Sequence, residues 1–204
     1  QIPTSNDAAE LEALNLSHER FLYYPANFWR HKNHRGLLTA FSMFLHLNPG
    51  SPLKLVLTGF PVDGNKEWME NIARMGLSDR VLCLGYVSDA AVAALFRNCE
   101  MLVFPSYFEG FGMPITEAME LGATILCSNV TSLPEAGGDC AFYFDPYNPA
   151  DICEKIEYVL SHPEEVQQKK EKYRKWLENF SSEQYLERLF ALFCQLVNKE
   201  EIQA

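Results

Sequence analysis

No uninterrupted apolar run in the 204 residues approaches the ~18–20 residues that a membrane-spanning helix needs. No charged start followed by an apolar stretch marks a secretion signal. The six cysteines (Cys83, Cys99, Cys127, Cys140, Cys153 and Cys194) form no C-x-x-C pair and stand at no zinc spacing from histidine. Reduced thiols packed into the core of a cytoplasmic protein are therefore expected, in place of disulfides or metal ligands. Positive charge is scarce: 17 Lys and Arg against 27 Asp and Glu, a net charge of −10. That balance argues against a general affinity for nucleic acid, which rests on phosphate neutralisation, while leaving room for a local basic pocket. No G-x-G-x-x-G follows the first strand, which argues against a dinucleotide-dependent oxidoreductase. Internal repeats and low-complexity tracts are absent as well.

What the chain does have is 48% hydrophobic residues, enough for one well-cored domain or two small ones. Strand-like and helix-like segments alternate. The apolar runs Phe21–Pro25, Leu53–Gly59, Val81–Tyr86, Met101–Ser106, Thr124–Ser128 and Ala141–Asp145 read as strands. Helical patterns fall between them, from about Asn33 to His46, from Asn65 to Met75, after the N-cap Ser88, and up to Leu121. Continuous apolar strands separated by helices predict an α/β fold, a doubly wound, Rossmann-like parallel sheet with ligands outside the carboxyl ends of its strands. Helices are expected again over Asp151–Ser161, Glu164–Asn179 and Ser182–Asn198. The charged run Gln167 to Lys175 reads as a solvated helix face. The chain opens on Gln1, and residues 1–17, polar with weak periodicity, read as a linker from a missing N-terminal domain. Residues 18–180 then form the ligand-binding domain and 181–204 a C-terminal helix and tail.

The segment Glu109 to Glu117 carries the most chemistry. It follows a strand and opens a helix, so Glu109 belongs at the carboxyl edge of the sheet. Pro114 suits a first helical residue, because its missing N–H would be unpaired there. Phe111, Gly112 and Met113 offer amides at the positive end of a helix dipole, a ready anion site. Gly110 and Gly112 allow close backbone approach. Two carboxylates separated by seven residues thus flank a phosphate-binding turn, an arrangement suited to a sugar attached to a nucleoside diphosphate. Helix-dipole complementation alone would account equally for Glu117.

Asn27 to Asn33 follows the first strand and brings Arg30 and Lys32 to the same edge, where Lys32 is the stronger candidate for a diphosphate leaving group. His31, His34 and Trp29 read as surface or packing residues as readily as functional ones. Gly85-Tyr86-Val87-Ser88 is a strand-to-helix turn whose exposed backbone can read a base edge, and Gly59 can let a nucleotide approach; both fit ordinary turns equally well. Glu135 to Asp139 reads as a flexible connection, with no helix opening after it.

Glu109-Gly110-Phe111-Gly112-Met113-Pro114-Ile115-Thr116-Glu117-Ala118-Met119 resembles the E-x(7)-E signature of the retaining family-4, or group 1, glycosyltransferases of GT-B fold. His31-Lys32-Asn33, Leu84 to Ser88, and Leu133-Pro134-Glu135 through Pro146 are similar to its other landmarks, in the expected order. The resemblance runs from about Phe21 to the C-terminus. It implies the C-terminal, donor-binding half of a two-domain hexosyltransferase. Glu109 would hold the donor sugar, beside the amides of Phe111, Gly112 and Met113. Glu117 would bind the ribose, Lys32 the diphosphate, and Val87 the base. Transfer would proceed with retention and without a metal or other cofactor, in keeping with the absence of D-x-D. The substrate would be an NDP-sugar, GDP- or UDP-linked, the His-Lys-Asn form leaning toward guanine-linked mannose or a deoxysugar. A glycan or lipid-linked acceptor would engage the missing N-terminal domain, with peripheral membrane association of the full-length protein implied as well.

Two departures stand out. Many relatives carry an arginine five or six residues before the lysine, where this chain has Asn27 and Ala26, so Arg30 is the available substitute. Without the other domain, half of a cleft cannot enforce proximity, so this chain is expected to bind nucleotide without turnover. The alternatives are a GT-B-like epimerase acting on an NDP-sugar and a non-catalytic nucleotide-sugar-binding module.

Overall fold

The computed structural model describes residues 6–59 and 65–181, with positions 183, 184, 186, 189–191, 193 and 194 beyond them. Six strands, β1 (Phe21–Pro25), β2 (Lys54–Thr58), β3 (Val81–Gly85), β4 (Met101–Phe104), β5 (Ile125–Ser128) and β6 (Phe142–Phe144), form one parallel sheet. Its order is β3-β2-β1-β4-β5-β6. Every residue of β4 and β5 is buried, as expected where helices cover both faces and the strand reads as an unbroken apolar run.

Between the strands lie α2 (His34–Leu47), α3 (Asn65–Arg74), α4 (Asp89–Asn98), α5 (Met113–Glu120) and α6 (Leu133–Gly137), followed by α7 (Pro149–Ser161). Right-handed crossovers put α2 and α3 on one face, and α4, α5 and α6 on the other, because the winding direction reverses between β1 and β4. The loops leaving β1 and β4 therefore diverge and leave a crevice at the topological switch point. The Rossmann-like fold predicted from the strand pattern is the one observed.

Four local differences have physical causes. The segment expected as a linker carries α1 (Asp7–Ala13), which packs on α4. Leu11 and Leu16 are buried there, and Asp7 forms a 2.6 Å ion pair with Arg97. Seven residues with one buried apolar position give too little periodicity to recognise. The connection Glu135 to Asp139, expected to be flexible, lies instead in α6 and a 3-10 turn, Gly138–Cys140. It is fixed by burial of Leu133 and Ala136 and by Trp176, whose indole N–H donates to the Ala136 carbonyl at 2.8 Å. The expected helix Glu164–Asn179 is broken into α8 (Pro163–Lys170) and α9 (Tyr173–Leu177), then a 3-10 turn, Glu178–Phe180. Tyr173 is buried after the break, its hydroxyl donating to the Ala123 carbonyl at 2.9 Å. Pro114 occupies the second helical position of α5, not the first, because Met113 already has helical geometry. The expected helix Ser182–Asn198 lies for the most part outside the described residues.

One side chain fixes how β1 leads into α2. Asn33 is buried, adopts a left-handed conformation (φ +54°), and caps α2 by accepting from the Gly36 amide at 3.1 Å. Its amide group donates to the carbonyls of Pro105 (3.1 Å) and Pro146 (2.9 Å). Asn33→Ala removes these three bonds, orphans two carbonyls and leaves a Cβ-bearing residue without local compensation at positive φ. The expected cost is about 2–4 kcal/mol. In a calorimetric scan the melting temperature should fall by roughly 5–15 °C, and a fall below about 2 °C would remove this bond network from its structural role.

Candidate functional site

The loops after β1, β4 and β5 are stitched together at the carboxyl edge of the sheet. The Tyr24 hydroxyl, buried at the end of β1, donates to the Lys32 carbonyl at 2.7 Å and lies 3.3 Å from Ser106 Oγ. The Tyr107 amide donates to the His31 carbonyl at 2.8 Å. From the β5 side, Thr131 Oγ1 accepts from the Glu109 amide at 3.2 Å, and Ser132 Oγ donates to the Glu109 carbonyl at 3.0 Å. Thr131 does this at φ +56°, an uncommon conformation for a β-branched residue, held where the loops converge.

This framework brings Lys32 and Glu109 into direct contact, Nζ to Oε1, at 2.6 Å. Their side chains are only 16% and 12% exposed, so the pair is largely withdrawn from water. Lys32 Nζ also lies 5.5 Å from the Phe104 ring centroid, a cation–π distance. Next to the pair, α5 begins at an N-cap Gly112 with φ +90°. A Cβ at Gly112 would come within 2.7 Å of the Leu133 side chain, so both conformation and space require glycine. The amides of Phe111, Gly112 and Met113 have no hydrogen-bond partner among the described residues. Gly110 faces open space, and Phe111 and Met113 are exposed.

One α-helical step further on, Glu117 stands exposed on α5. Partial burial of its carboxyl group raises its pKa, and the neighbouring Glu120 adds to the rise. Burial raises the Tyr23 phenol, the Thr58 hydrogen bond opposes this, and Cys99 and then Glu117 add to the rise.

Gly59 and Val87 meet at a shallow cleft of about 210 Å³, between the ends of β1, β2 and β3. Gly59 has φ +100°, and a Cβ there would lie 2.6 Å from the backbone of Ala26. Its amide donates to the Gly85 carbonyl at 2.9 Å. The glycine therefore lets two strand ends close on each other, and the Tyr86 hydroxyl donates to Asn27 Oδ1 across the rim at 3.2 Å.

Arg30 is placed differently from Lys32. It is exposed on the 3-10 turn Arg30–Lys32 and lines a neighbouring cavity of about 480 Å³ with Trp29, His34, Glu67, Trp68 and Tyr107. His34 is buried there, stacked on Phe28 with ring centroids 4.0 Å apart; its ring nitrogens make no hydrogen bond of good geometry, the Ala26 carbonyl offering a weak one at most. Burial pushes its pKa down to about 3; the Ala26 carbonyl opposes this and the Lys32 charge adds to it. The thiols do not belong to any of these sites as nucleophiles: burial raises Cys83 and Cys153 to about 11 and Cys99 to about 12.

Sequence reasoning thus found the two ends of the central ion pair and missed what holds them. Asn33 had a signal, an asparagine before an apolar-periodic helix. Tyr24, Thr131 and Ser132 had none, since their partners are distant in the chain and Thr131 is a poor match for its backbone conformation.

Residues 8–176 match the family described as "Glycosyl transferases group 1". The O-antigen chain mannosyltransferase B of Escherichia coli is 35% identical over 136 residues, which are 67% of this chain and 35% of that protein. HepE of Anabaena, solved in complex with UDP-glucose, shares the fold with a TM-score of 0.77 at 19% identity, over 93% of this chain and 53% of its own. The C-terminal domain of the group 1 protein LpcC from Francisella tularensis superposes with a TM-score of 0.70 at 17% identity, over 87% of this chain and 93% of that domain. The chain spans about a third of the curated relative's length. No helix among the described residues is long and apolar enough to cross a membrane.

Two measurements test the site as drawn. A double-mutant cycle with Lys32→Met and Glu109→Gln, read by denaturant unfolding, should give a coupling of about 1–3 kcal/mol. Additive effects, within about 0.5 kcal/mol, would mean that the pair does not form. For His34, the folded pKa lies below the unfolded one, so the unfolded state binds the extra proton between pH 6.5 and about 3. Stability is therefore lost as pH falls through that window. His34→Phe should abolish this loss and gain about 2 kcal/mol relative to wild type on moving from pH 7.5 to pH 5. Parallel pH profiles for the two proteins would contradict the burial of a neutral imidazole.

Proposed function

The chain belongs to the group 1 glycosyl transferases, and from that premise we propose that it is the donor-binding half of a retaining, two-domain hexosyltransferase. Its substrate would be an NDP-sugar and its product a glycosidic bond to a hydroxyl of a glycan or lipid-linked acceptor. Support for the half-domain reading comes from its match to nearly the whole of an isolated C-terminal domain of a group 1 protein. The observation that carries the functional reading is the Lys32–Glu109 contact beside the open amides of α5.

In this reading the donor exchanges partners with the ion pair. The diphosphate takes Lys32 and the amides at the mouth of α5, where the helix dipole favours anions. Glu109, released from Lys32, accepts a hydroxyl hydrogen bond from the sugar. Glu117 accepts from the ribose, and the base lies in the cleft at Gly59 and Val87. Lys32 then stabilises negative charge on the diphosphate as the C1–O bond breaks. The acceptor oxygen attacks on the face that the diphosphate leaves, the configuration is retained, and the acceptor proton passes to the departing phosphate oxygen. No step calls for a metal. A mannosyl donor linked to guanosine diphosphate is the first to test, given the mannosyltransferase relative and the His31-Lys32-Asn33 form. The isolated chain would bind this donor without turnover, the acceptor being held by the other half of the protein, which would also carry any association with the membrane surface.

Thermal-shift titration with nucleoside diphosphates and NDP-sugars tests the assignment through ligand-linked stabilisation. Glu117→Ala should weaken both kinds of ligand by roughly 10–100-fold, the loss of one or two charge-assisted hydrogen bonds. Glu109→Ala should weaken only the sugar-bearing ligands by a similar factor, because its removal frees Lys32 for the phosphates. Equal loss of plain nucleotide with Glu109→Ala, or no stabilisation by any nucleotide, would overturn the reading. Epimer formation by the full-length protein given NDP-sugar alone would replace it with an epimerase.

A further inference from the structure

The 480 Å³ cavity beside the donor crevice has a composition of its own. Its walls are aromatic: Trp29, Trp68 and Tyr107 line it, and Trp29 is 51% exposed. Its polar groups carry both signs. Arg30 and Arg35 bring guanidinium groups, and Glu67 a carboxylate that stands 3.6 Å from Arg35. At the back, His34 and Phe28 are stacked. Lys32 and Glu109 do not line it.

Each of these facts bears on what the cavity takes. Its size falls within the range of small-molecule sites. Flat aromatic faces suit the C–H face of a pyranose ring, and mixed donors and acceptors suit hydroxyls. A carboxylate in the wall, with one of the two arginines already beside it, disfavours a phosphate or other anion. The neutral state of His34 adds no positive charge. A nucleobase would also stack, but the base cleft lies elsewhere, at Gly59 and Val87, on the far side of the β1 end.

We propose that this cavity is a second carbohydrate site, separate from the donor crevice, that holds a neutral glycan against Trp29, Trp68 and Glu67. Its position suggests the use. Trp29 and Arg30 face it from the same short loop that sends Lys32 to Glu109. A glycan chain lodged there is kept within one loop's width of the reacting sugar, which raises its local concentration at the transfer site. The site itself stands on the cavity, while the exclusion of a nucleobase and the use in transfer rest on the donor assignment above.

The test uses the intact chain, labelled so that the indole N–H signals of its three tryptophans are resolved by NMR. The probes are linear α-linked manno-oligosaccharides, added with guanosine diphosphate at saturation, and inorganic phosphate as a separate arm. The Trp29 and Trp68 signals should shift saturably with glycan, while Trp176, which is packed against Ala136 and Phe180, stays still. Trp29→Ala and Glu67→Gln, both at exposed positions, should each weaken binding at least about tenfold, with the Trp68 signal as the readout. Four outcomes would overturn the proposal: no saturable shift in the millimolar range, displacement of glycan by the nucleotide, indifference to both substitutions, or the same shifts from phosphate. Failure of the donor assignment would register instead in the nucleotide titrations and leave these signals unchanged.

Discussion

The geometry of the carboxyl edge depends on where one asparagine puts its amide. Asn33 reverses the chain in a left-handed conformation between the 3-10 turn and α2, and its side chain reaches the carbonyls of Pro105 and Pro146. Those carbonyls belong to the loops after β4 and β6, so a single residue ties three connections together. An unpaired carbonyl in this buried position would cost about 1–3 kcal/mol, which makes the arrangement hard to relax piecemeal. Tyr24 and the Tyr107–His31 bond brace the same turn from below and beside it. The consequence is positional. Lys32 has to point across the switch crevice toward Glu109, whereas its neighbours Trp29 and Arg30 turn to the other side.

What this framework holds is a contact with two readings in energy. Withdrawing two charges from water costs several kcal/mol per ion before their attraction is counted, so the pair adds little net stability to the fold. Breaking it without replacement is expensive. A ligand that supplies an anion to Lys32 and hydroxyl donors to Glu109 avoids that expense on both sides. A ligand offering only one of them leaves the other group buried and unpaired. The pair thus favours a molecule that carries both chemistries, joined at a short distance, over its separate halves. That selectivity would come from desolvation and not from shape, and it would let a chain with a net charge of −10 accept an anion at this one place.

Much of this was legible in the sequence because it rests on local signals. The six strands announce themselves as apolar runs, and the mouth of α5 as glycine, proline and a flanking acid. Gly59 and Gly112 have positive φ with no room for a Cβ, but the atoms that crowd them are the Ala26 backbone and the Leu133 side chain, and Gly110 faces open space. The missed features are ones in which tertiary contact overrides local pattern. Residues 7–13 form a helix because α4 offers Arg97 and a surface for Leu11. Residues 133–140 are helical because Trp176 reaches back over forty positions to bond Ala136. The solvated run after Pro163 looks like one helix, yet it divides where Tyr173 is drawn inward to the Ala123 carbonyl. Spacing also does not say which way a side chain turns: the sequence brings Arg30 and Lys32 to the same edge, and the structure sets Lys32 against Glu109 and Arg30 along the neighbouring cavity.

In the proposed function, the same limit separates donor binding, which can be drawn from this chain, from acceptor approach, which cannot. Every interaction that positions the donor groups lies within this chain, since the loops after β1, β4 and β5 bond to one another. None of those bonds constrains the direction from which an acceptor arrives. The crevice is open above α5, where Phe108, Phe111 and Met113 are exposed around its mouth. An open mouth admits water, and water would weaken the electrostatic terms on which the proposed diphosphate departure relies. A covering surface that excludes that water would strengthen Lys32 and Glu109 at the moment they are needed, without moving either. In the proposed function, donor recognition is thus a property of the strand ends, and the rate of transfer a property of what closes over them.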